Sequence, residues 1–222
     1  MIKKYDFVIW DVDGTLLNTS EGIISSAKYI ISRMGYDIPS EDVMKTYIGP
    51  PIQNSFANTL PITEEIAMKM ANMFRTHYKK YDLLKANPYP GIINVCESLA
   101  KAGIRQAVAT YKRQDYASVI VDHFGFSKYM TDVCGSDAEG KMTKSDIIRN
   151  AIRESGINKE RILMIGDTNN DALGAQKQGI DFLAVTYGFG YKKDECSIGK
   201  GIRYIANTSE DILSVLEVKD EN

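Results

Sequence analysis

The feature that most constrains this fold is a short apolar run that stops at an acidic, glycine-containing turn. Residues 5–10 read Tyr-Asp-Phe-Val-Ile-Trp, and the turn DVDGT follows directly. β-Branched and aromatic residues in so short a run indicate a buried strand whose carboxyl end presents Asp11. Similar runs at 104–110, 161–165 and 181–186 predict three further strands.

Helical patterns separate these strands. Apolar residues recur at helical spacing over 91–102, 144–155, 171–178 and 210–216, and glycines follow several of these segments. Alternating strands and helices favour a parallel sheet that helices cover on both faces. The sequence therefore predicts an α/β, Rossmann-like core.

Residues 16–85 break this alternation. Helical patterns cover 20–34, 40–47 and 63–81, with no convincing strand between them, and the segment Asn87-Pro88-Tyr89-Pro90-Gly91 is typical of a linker. We therefore expect a catalytic α/β domain made of residues 1–15 and 86–222, with a small all-helical domain inserted over 16–85.

Composition excludes several classes of function. Lys and Arg number 27 against 29 Asp and Glu, so the formal net charge of −2 gives no electrostatic reason to expect a nucleic-acid or membrane partner. Three widely spaced cysteines argue against a disulfide framework, and the N-terminal residues do not resemble a signal peptide. We expect a cytoplasmic protein, and nothing in the sequence indicates an obligate protein partner.

Polar residues collect at or near the predicted strand ends. They are Asp11 and Asp13, Thr110, Asp167 and Asp171, with Lys144 at the start of the helix before the third strand. In an open parallel sheet, ligands bind beyond the carboxyl ends of the strands. Several carboxylates meeting there repel one another unless a cation is present, and oxygen ligands of this kind suit Mg²⁺.

Four segments together resemble the motifs of the haloacid dehalogenase superfamily. They are DVDGTLL at 11–17, VAT at 108–110, Lys144, and GDTNND at 166–171, and both their order and their separation fit. The helical insert resembles the cap domain of the phosphoglycolate-phosphatase-like branch. The resemblance spans the whole chain and implies a magnesium-dependent phosphatase that forms an aspartyl-phosphate.

The resemblance also implies roles for the acidic residues. Asp11 would be the nucleophile and a metal ligand. Asp13 would be the general acid and base, and its backbone carbonyl would bind the metal. Asp167 would be a direct ligand, and Asp171 would hold the metal shell, a role compatible with its place near a helix N-terminus.

The same resemblance places Thr110, Tyr111 and Lys144 at the substrate. Thr110 would hydrogen-bond the phosphoryl group, and Lys144 would neutralise charge on the phosphate and the nucleophile. Tyr111 stands where many relatives carry a smaller polar residue, which leaves the shape of that turn open. Lys141 is an alternative to Lys144, but the helix that begins at KSDII favours Lys144.

The substrate stays open at this point. Phosphoglycolate and nucleoside 5′-monophosphates rank first, and the insert offers Gln53, Asn54 and Arg75 as possible substrate contacts. The alternatives are a phosphosugar mutase of the same superfamily and a regulatory binding module on a degenerate phosphatase core. Halide displacement fits poorly, because the dehalogenases lack an acid at the position of Asp13.

Overall fold

The computed structural model describes residues 4–199 and 201–218. The chain forms two compact units, one comprising Met1–Leu17 and Pro88–Asn222, and the other comprising Asn18–Asn87. Each unit has its own core of buried side chains and is described separately.

The larger unit contains a six-stranded parallel sheet. Its strands are β1 (Phe7–Trp10), β4 (Arg105–Arg113), β5 (Met130–Ser136), β6 (Ile162–Gly166), β7 (Asp181–Val185) and β8 (Tyr204–Ala206). Their order across the sheet is β5-β4-β1-β6-β7-β8. The chain therefore leaves β1 toward one edge and later returns to its other side. This reversal beside β1 is the position where open α/β sheets bind ligands.

Helices of the larger unit pack against both faces of the sheet. They are α5 (Ile92–Lys101), α6 (Gln114–His123), α7 (Lys144–Ser155), α8 (Asn169–Gln178) and α9 (Ser209–Val215). Phe7 and Ile9 belong to the apolar cluster that α7 and α8 cover. The intervening Val8 and Trp10 point to the opposite face because side chains alternate along a strand, and they are fully buried too.

The smaller unit is helical. It contains α1 (Ser20–Arg33), α2 (Glu41–Lys45), α3 (Ile52–Thr59) and α4 (Glu64–His77), and a π-helical turn over Tyr78–Asp82 continues α4. Asp82 is buried within this unit, where it accepts a hydrogen bond from Ser26 Oγ at 2.6 Å and pairs with Lys85 Nζ at 2.8 Å. Two short strands, β2 (Leu17–Asn18) and β3 (Asn87–Pro88), carry the chain between the units.

The predicted fold class is confirmed: a parallel α/β sheet flanked by helices, with an inserted helical unit. Two edge strands, β5 and β8, and helix α6 were not predicted. β5 reads MTDVCGS and β8 has only three residues, so neither shows the apolar run that identifies a buried strand. In the described parts of the chain, no helix is long and apolar enough to cross a membrane.

A buried polar contact joins the strand that carries Asp11 to its neighbours. Trp10 Nε1 donates to Gln106 Oε1 at 3.0 Å, and Gln106 Nε2 donates to the carbonyl of Cys96 in α5 at 2.8 Å. Gln106 and Trp10 are fully buried. Because a buried donor without a partner is costly, Gln106 fixes the side chain that immediately precedes Asp11.

We expect Gln106→Met to lower the free energy of unfolding of the larger unit by about 1–3 kcal/mol, since the Trp10 indole N–H loses its buried partner. Denaturant unfolding followed by fluorescence measures this directly, because Trp10 is the single tryptophan of the chain. Gln176→Met, at an exposed position of α8, is the matched control. Equal effects of the two substitutions would contradict the role assigned to the contact.

Candidate active site

Asp11 and Asp13 lie in the turn that follows β1. The amide of Asp11 donates to the carbonyl of Ile165 at 2.9 Å, which continues the pairing of β1 with β6. Gly14 then adopts a φ of +83°, a conformation that favours glycine. A Cβ atom at Gly14 would overlap the Asp167 carboxylate, so glycine allows the turns after β1 and β6 to approach closely. Both Asp11 and Asp13 are buried.

Asp171 both caps the N-terminus of α8 and contacts Lys144 in the site. Its Oδ2 accepts hydrogen bonds from the amide of Thr168 at 3.0 Å and from Thr168 Oγ1 at 2.6 Å, at the start of α8. Its Oδ1 lies 2.7 Å from Lys144 Nζ. The alternative interpretation of Asp171 as a helix N-terminal residue therefore holds alongside its place in the site.

Lys144 bridges two carboxylates. Its Nζ lies 2.7 Å from Asp11 Oδ1 and 2.7 Å from Asp171 Oδ1, and its side chain is 3% exposed. Lys141, the alternative, is 79% exposed and lies 3.7 Å from Glu139. The structure thus brings Lys144, and not Lys141, to the carboxylates.

Thr110 and Tyr111 lie near the carboxyl end of β4. Thr110 is buried, and its Oγ1 accepts a hydrogen bond from the amide of Lys112 at 3.2 Å. The Tyr111 hydroxyl accepts a hydrogen bond from the amide of Lys144 at 3.0 Å, and the Lys144 ammonium lies 5.6 Å from the centre of the Tyr111 ring. In this chain Tyr111 therefore contacts the N-terminus of α7.

Lys112 is a site residue that the sequence did not single out. It lies two positions after Thr110, is buried, and places its Nζ 3.1 Å from Asp13 Oδ1. A charged residue near the end of a strand that is otherwise mostly buried was the available signal, since an isolated buried lysine needs a partner.

Backbone amides hold Asp167. Its Oδ2 accepts hydrogen bonds from the amide of Phe189 at 2.7 Å and from that of Gly190 at 3.2 Å, in the loop after β7. A Cβ atom at Gly188 would lie 2.5 Å from the same oxygen, so this close approach needs glycine. The glycine-rich run YGFGY after a predicted strand was the sequence signal for this loop.

Three carboxylates form a group that can hold a metal ion. One oxygen each of Asp11, Asp167 and Asp171 lies within 4.8 Å of the other two, and all three residues are buried. Within the described residues, Asp167 Oδ1 is buried and has no hydrogen-bond partner. A buried carboxylate oxygen without a donor, among further hard oxygen atoms, fits a divalent cation. The side chain of Asp13 lies outside this group, toward Lys112.

The electrostatics of the site fit the same interpretation. Burial raises the pKa of Asp11 to about 7, opposed by Lys144 and assisted by the charges of Asp171 and Asp13. Burial and then the charges of Asp171 and Asp11 raise the pKa of Asp167 well above its ordinary value. Burial disfavours the Lys144 ammonium, but Asp11 and Asp171 outweigh it and raise the pKa of Lys144. A bound cation would favour the ionised carboxylates.

Comparison with known proteins supports one assignment. Residues 8–185 match the family described as haloacid dehalogenase-like hydrolase. A 5′-nucleotidase of Pseudomonas aeruginosa is 33% identical over 205 residues, which cover 92% of each chain. A phosphoglycolate phosphatase of Vibrio parahaemolyticus is 26% identical over 95% of this chain and 96% of its own.

A solved structure agrees with the sequence matches. The crystal structure of a predicted phosphatase from Clostridium acetobutylicum superposes with a TM-score of 0.88 at 31% identity, and covers 96% of this chain and 99% of its own. The resemblance to the phosphoglycolate-phosphatase-like branch is thereby confirmed, and the chain belongs to the family of haloacid dehalogenase-like hydrolases.

Proposed function

We propose that the protein is a magnesium-dependent phosphatase that hydrolyses phosphate monoesters of small molecules through an aspartyl-phosphate on Asp11. One observation carries the proposal. Asp11 lies buried beside Lys144, and the same carboxylate belongs to a group of three that can hold a cation. A nucleophile, a fixed positive charge and a metal site therefore share one position, which is what phosphoryl transfer requires.

In the first step, a carboxylate oxygen of Asp11 attacks phosphorus, and the bond from phosphorus to the leaving oxygen breaks. Asp13, as the acid, gives its proton to that leaving oxygen. In the second step, Asp13 takes a proton from water, whose oxygen attacks phosphorus and releases phosphate and the Asp11 carboxylate. An acyl phosphate suits this second step because a carboxylate is a good leaving group.

The remaining site residues would bind and orient the phosphoryl group and the metal ion. Lys144 would neutralise charge on the phosphoryl group and on Asp11, and Thr110 would donate a hydrogen bond to a phosphoryl oxygen. Tyr111 would shape the pocket wall beside Lys144. Asp11, Asp167 and Asp171 would hold Mg²⁺ together with the backbone carbonyl of Asp13. When bound, Mg²⁺ supplies positive charge that balances the carboxylates and the phosphate.

Substrate choice is proposed to depend on the helical unit, Asn18–Asn87, acting as a cap. In that unit Arg75 Nη2 donates to Gln53 Oε1 at 2.9 Å and Arg75 Nη1 donates to Asn72 Oδ1 at 2.9 Å, so the guanidinium is held in a fixed orientation. Arg75, Gln53 and Asn54 remain the candidate substrate contacts. The names of two relatives, the 5′-nucleotidase and the phosphoglycolate phosphatase, favour nucleoside 5′-monophosphates and phosphoglycolate as first candidates. A cytoplasmic location remains a prediction.

The alternative is a phosphosugar mutase, which would return phosphate to the sugar and would not release it. A regulatory module on a degenerate core is disfavoured, since all the predicted catalytic groups are present near the strand ends. Release of inorganic phosphate separates the phosphatase from both alternatives.

We expect Mg²⁺-dependent phosphate release from at least one member of a panel of phosphoglycolate, nucleoside monophosphates, sugar phosphates and pyrophosphate. Asp11→Asn should remove it by several orders of magnitude, because the amide cannot form the acyl phosphate. Asp194→Asn, at an exposed acid, is the matched control and should retain it. Phosphate release that is indifferent to Asp11→Asn would overturn the mechanism.

Substitutions should distinguish Lys144 from Lys141, the alternative lysine three residues earlier in the sequence. We expect Lys144→Met to lower kcat/KM by about 10²- to 10³-fold, since a buried charge that stabilises the transferring group is lost. Lys141→Met is the internal control and should leave kcat/KM near the wild-type value, because Lys141 is exposed. The reverse pattern would show that the wrong lysine has been assigned.

Asp167→Asn should change stability in opposite directions with and without metal. In EDTA, we expect the variant to unfold at a higher temperature than the wild type, because one of three clustered carboxylates no longer repels the others. With Mg²⁺ at about 100 times the wild-type Kd, the wild type should gain about 2.7 kcal/mol and the variant much less.

Thermal unfolding over a Mg²⁺ titration measures both effects, and Asp194→Asn is again the control. An equal Mg²⁺-dependent gain in Asp167→Asn and in the wild type would count against Asp167 as a ligand.

A further inference from the structure

Asp13 has a buried cationic partner, Lys112, which has no role in the chemical steps proposed above. Lys112 Nζ lies 3.1 Å from Asp13 Oδ1, with the two side chains 5% and 9% exposed. A buried ion pair of this kind contributes little to stability relative to apolar residues. Its short contact places the Lys112 ammonium directly against the Asp13 carboxylate. The pair thus bears on where the Asp13 carboxylate points.

The backbone that carries Lys112 is held on two sides. The Lys112 amide donates to Thr110 Oγ1 at 3.2 Å, within the last part of β4, where the register against β5 shifts. On the other side, a Cβ atom at Gly135 of β5 would lie 2.7 Å from the Lys112 carbonyl oxygen, and the Gly135 amide donates to Gln114 Oε1 at 2.6 Å. The backbone of Lys112 is therefore closely packed, and its side chain extends from there so that the ammonium contacts Asp13.

The two buried lysines contact different carboxylates. Lys144 contacts Asp11 and Asp171, whereas Lys112 contacts Asp13. Asp13 is also outside the group of three carboxylates that can hold a cation. The side chain of the proposed acid and base thus contacts a buried lysine other than the one beside Asp11.

We propose that Lys112 is a positioning residue of the reaction, whose ammonium holds the Asp13 side chain where it can protonate the leaving oxygen. This inference rests on the proposed function, in which Asp13 is the acid. Lys112 acts through Asp13 and makes no direct contribution to the phosphoryl group. Loss of Lys112 should therefore matter in proportion to how much the leaving group needs a proton.

The experiment compares two leaving groups. The value of kcat/KM reports on the steps through formation of the Asp11 phosphate, in which the leaving oxygen departs. For Lys112→Met we expect kcat/KM to fall about 10- to 100-fold with an alkyl phosphate, whose alkoxide needs protonation, because general acid catalysis is impaired. With p-nitrophenyl phosphate, whose phenolate leaves unprotonated, kcat/KM should change little. Lys177→Met, at an exposed lysine of α8, should change neither.

A double-mutant cycle tests whether Lys112 acts through Asp13. In the Asp13→Asn background, Lys112→Met should cause no further loss with the alkyl phosphate, because the group it orients is no longer an acid. Lys112→Arg, which keeps the charge, should recover part of the loss seen with Lys112→Met. Thermal unfolding verifies that each variant is folded, and Lys112→Gln replaces Lys112→Met in all comparisons if the methionine variant does not fold.

Three results would overturn the proposal: no loss with the alkyl phosphate, an equal loss with both leaving groups, or a loss that persists in the Asp13→Asn background. Asp11→Asn, assayed in parallel, keeps this failure distinct from that of the proposed function. If Asp11→Asn abolishes hydrolysis while the Lys112 variants behave like the wild type, only the positioning role is wrong. If Asp11→Asn hydrolyses normally, the proposed function itself fails.

Discussion

The structure of the larger unit depends on keeping four carboxylates buried at one end of a parallel sheet. Asp11, Asp13, Asp167 and Asp171 are all buried. Isolated buried charges cost several kcal/mol each, so each must be balanced by a cation or by hydrogen-bond donors. Lys144 and Lys112 supply two positive charges, the backbone amides of the loop after β7 supply donors to Asp167, and the start of α8 supplies donors to Asp171.

When all four acids are ionised and both lysines are protonated, these six side chains have a net charge of −2. A single divalent cation balances that charge. Among the described residues Asp167 Oδ1 has no hydrogen-bond partner, which marks a position where such a cation fits. Charge balance and ligand chemistry therefore agree on the kind of ion. The fold and the chemistry are linked at this point, since the glycines that let the loops approach Asp167 also bring the carboxylates together.

Much of the fold could be predicted from the sequence because its central strands are short and apolar. The bounds of α7 coincide with the predicted 144–155, because a capping residue precedes it and a glycine follows it. The helical insert also showed a distinct pattern. The edge strands could not be predicted in the same way, since half-buried residues of mixed polarity carry no clear period.

The part of the site that could be predicted from the sequence is the set of side chains that belong to recognisable motifs. Asp11, Asp167, Asp171 and Lys144 were predicted from sequence motifs, and the structure brings these four together. Asp13 was predicted as well, and its side chain contacts Lys112. Lys112 and the amides of Phe189 and Gly190 were not identified, because a lysine near the end of a mostly buried strand and the run YGFGY do not specify which groups contact an acid. Lysine is most often a solvated residue, and any residue but proline offers a backbone amide, so only three-dimensional proximity distinguishes these groups.

The order in which the site residues occur along the chain has a consequence for synthesis on the ribosome. Asp11 is synthesised well before the amides that hold Asp167, which belong to residues 189 and 190. Between these two points in the sequence lie the whole helical unit and four strands of the six-stranded sheet. A nascent chain therefore contains Asp11 without the amides that hold Asp167 until residues 189 and 190 have been synthesised, and the complete candidate site can form only after that point.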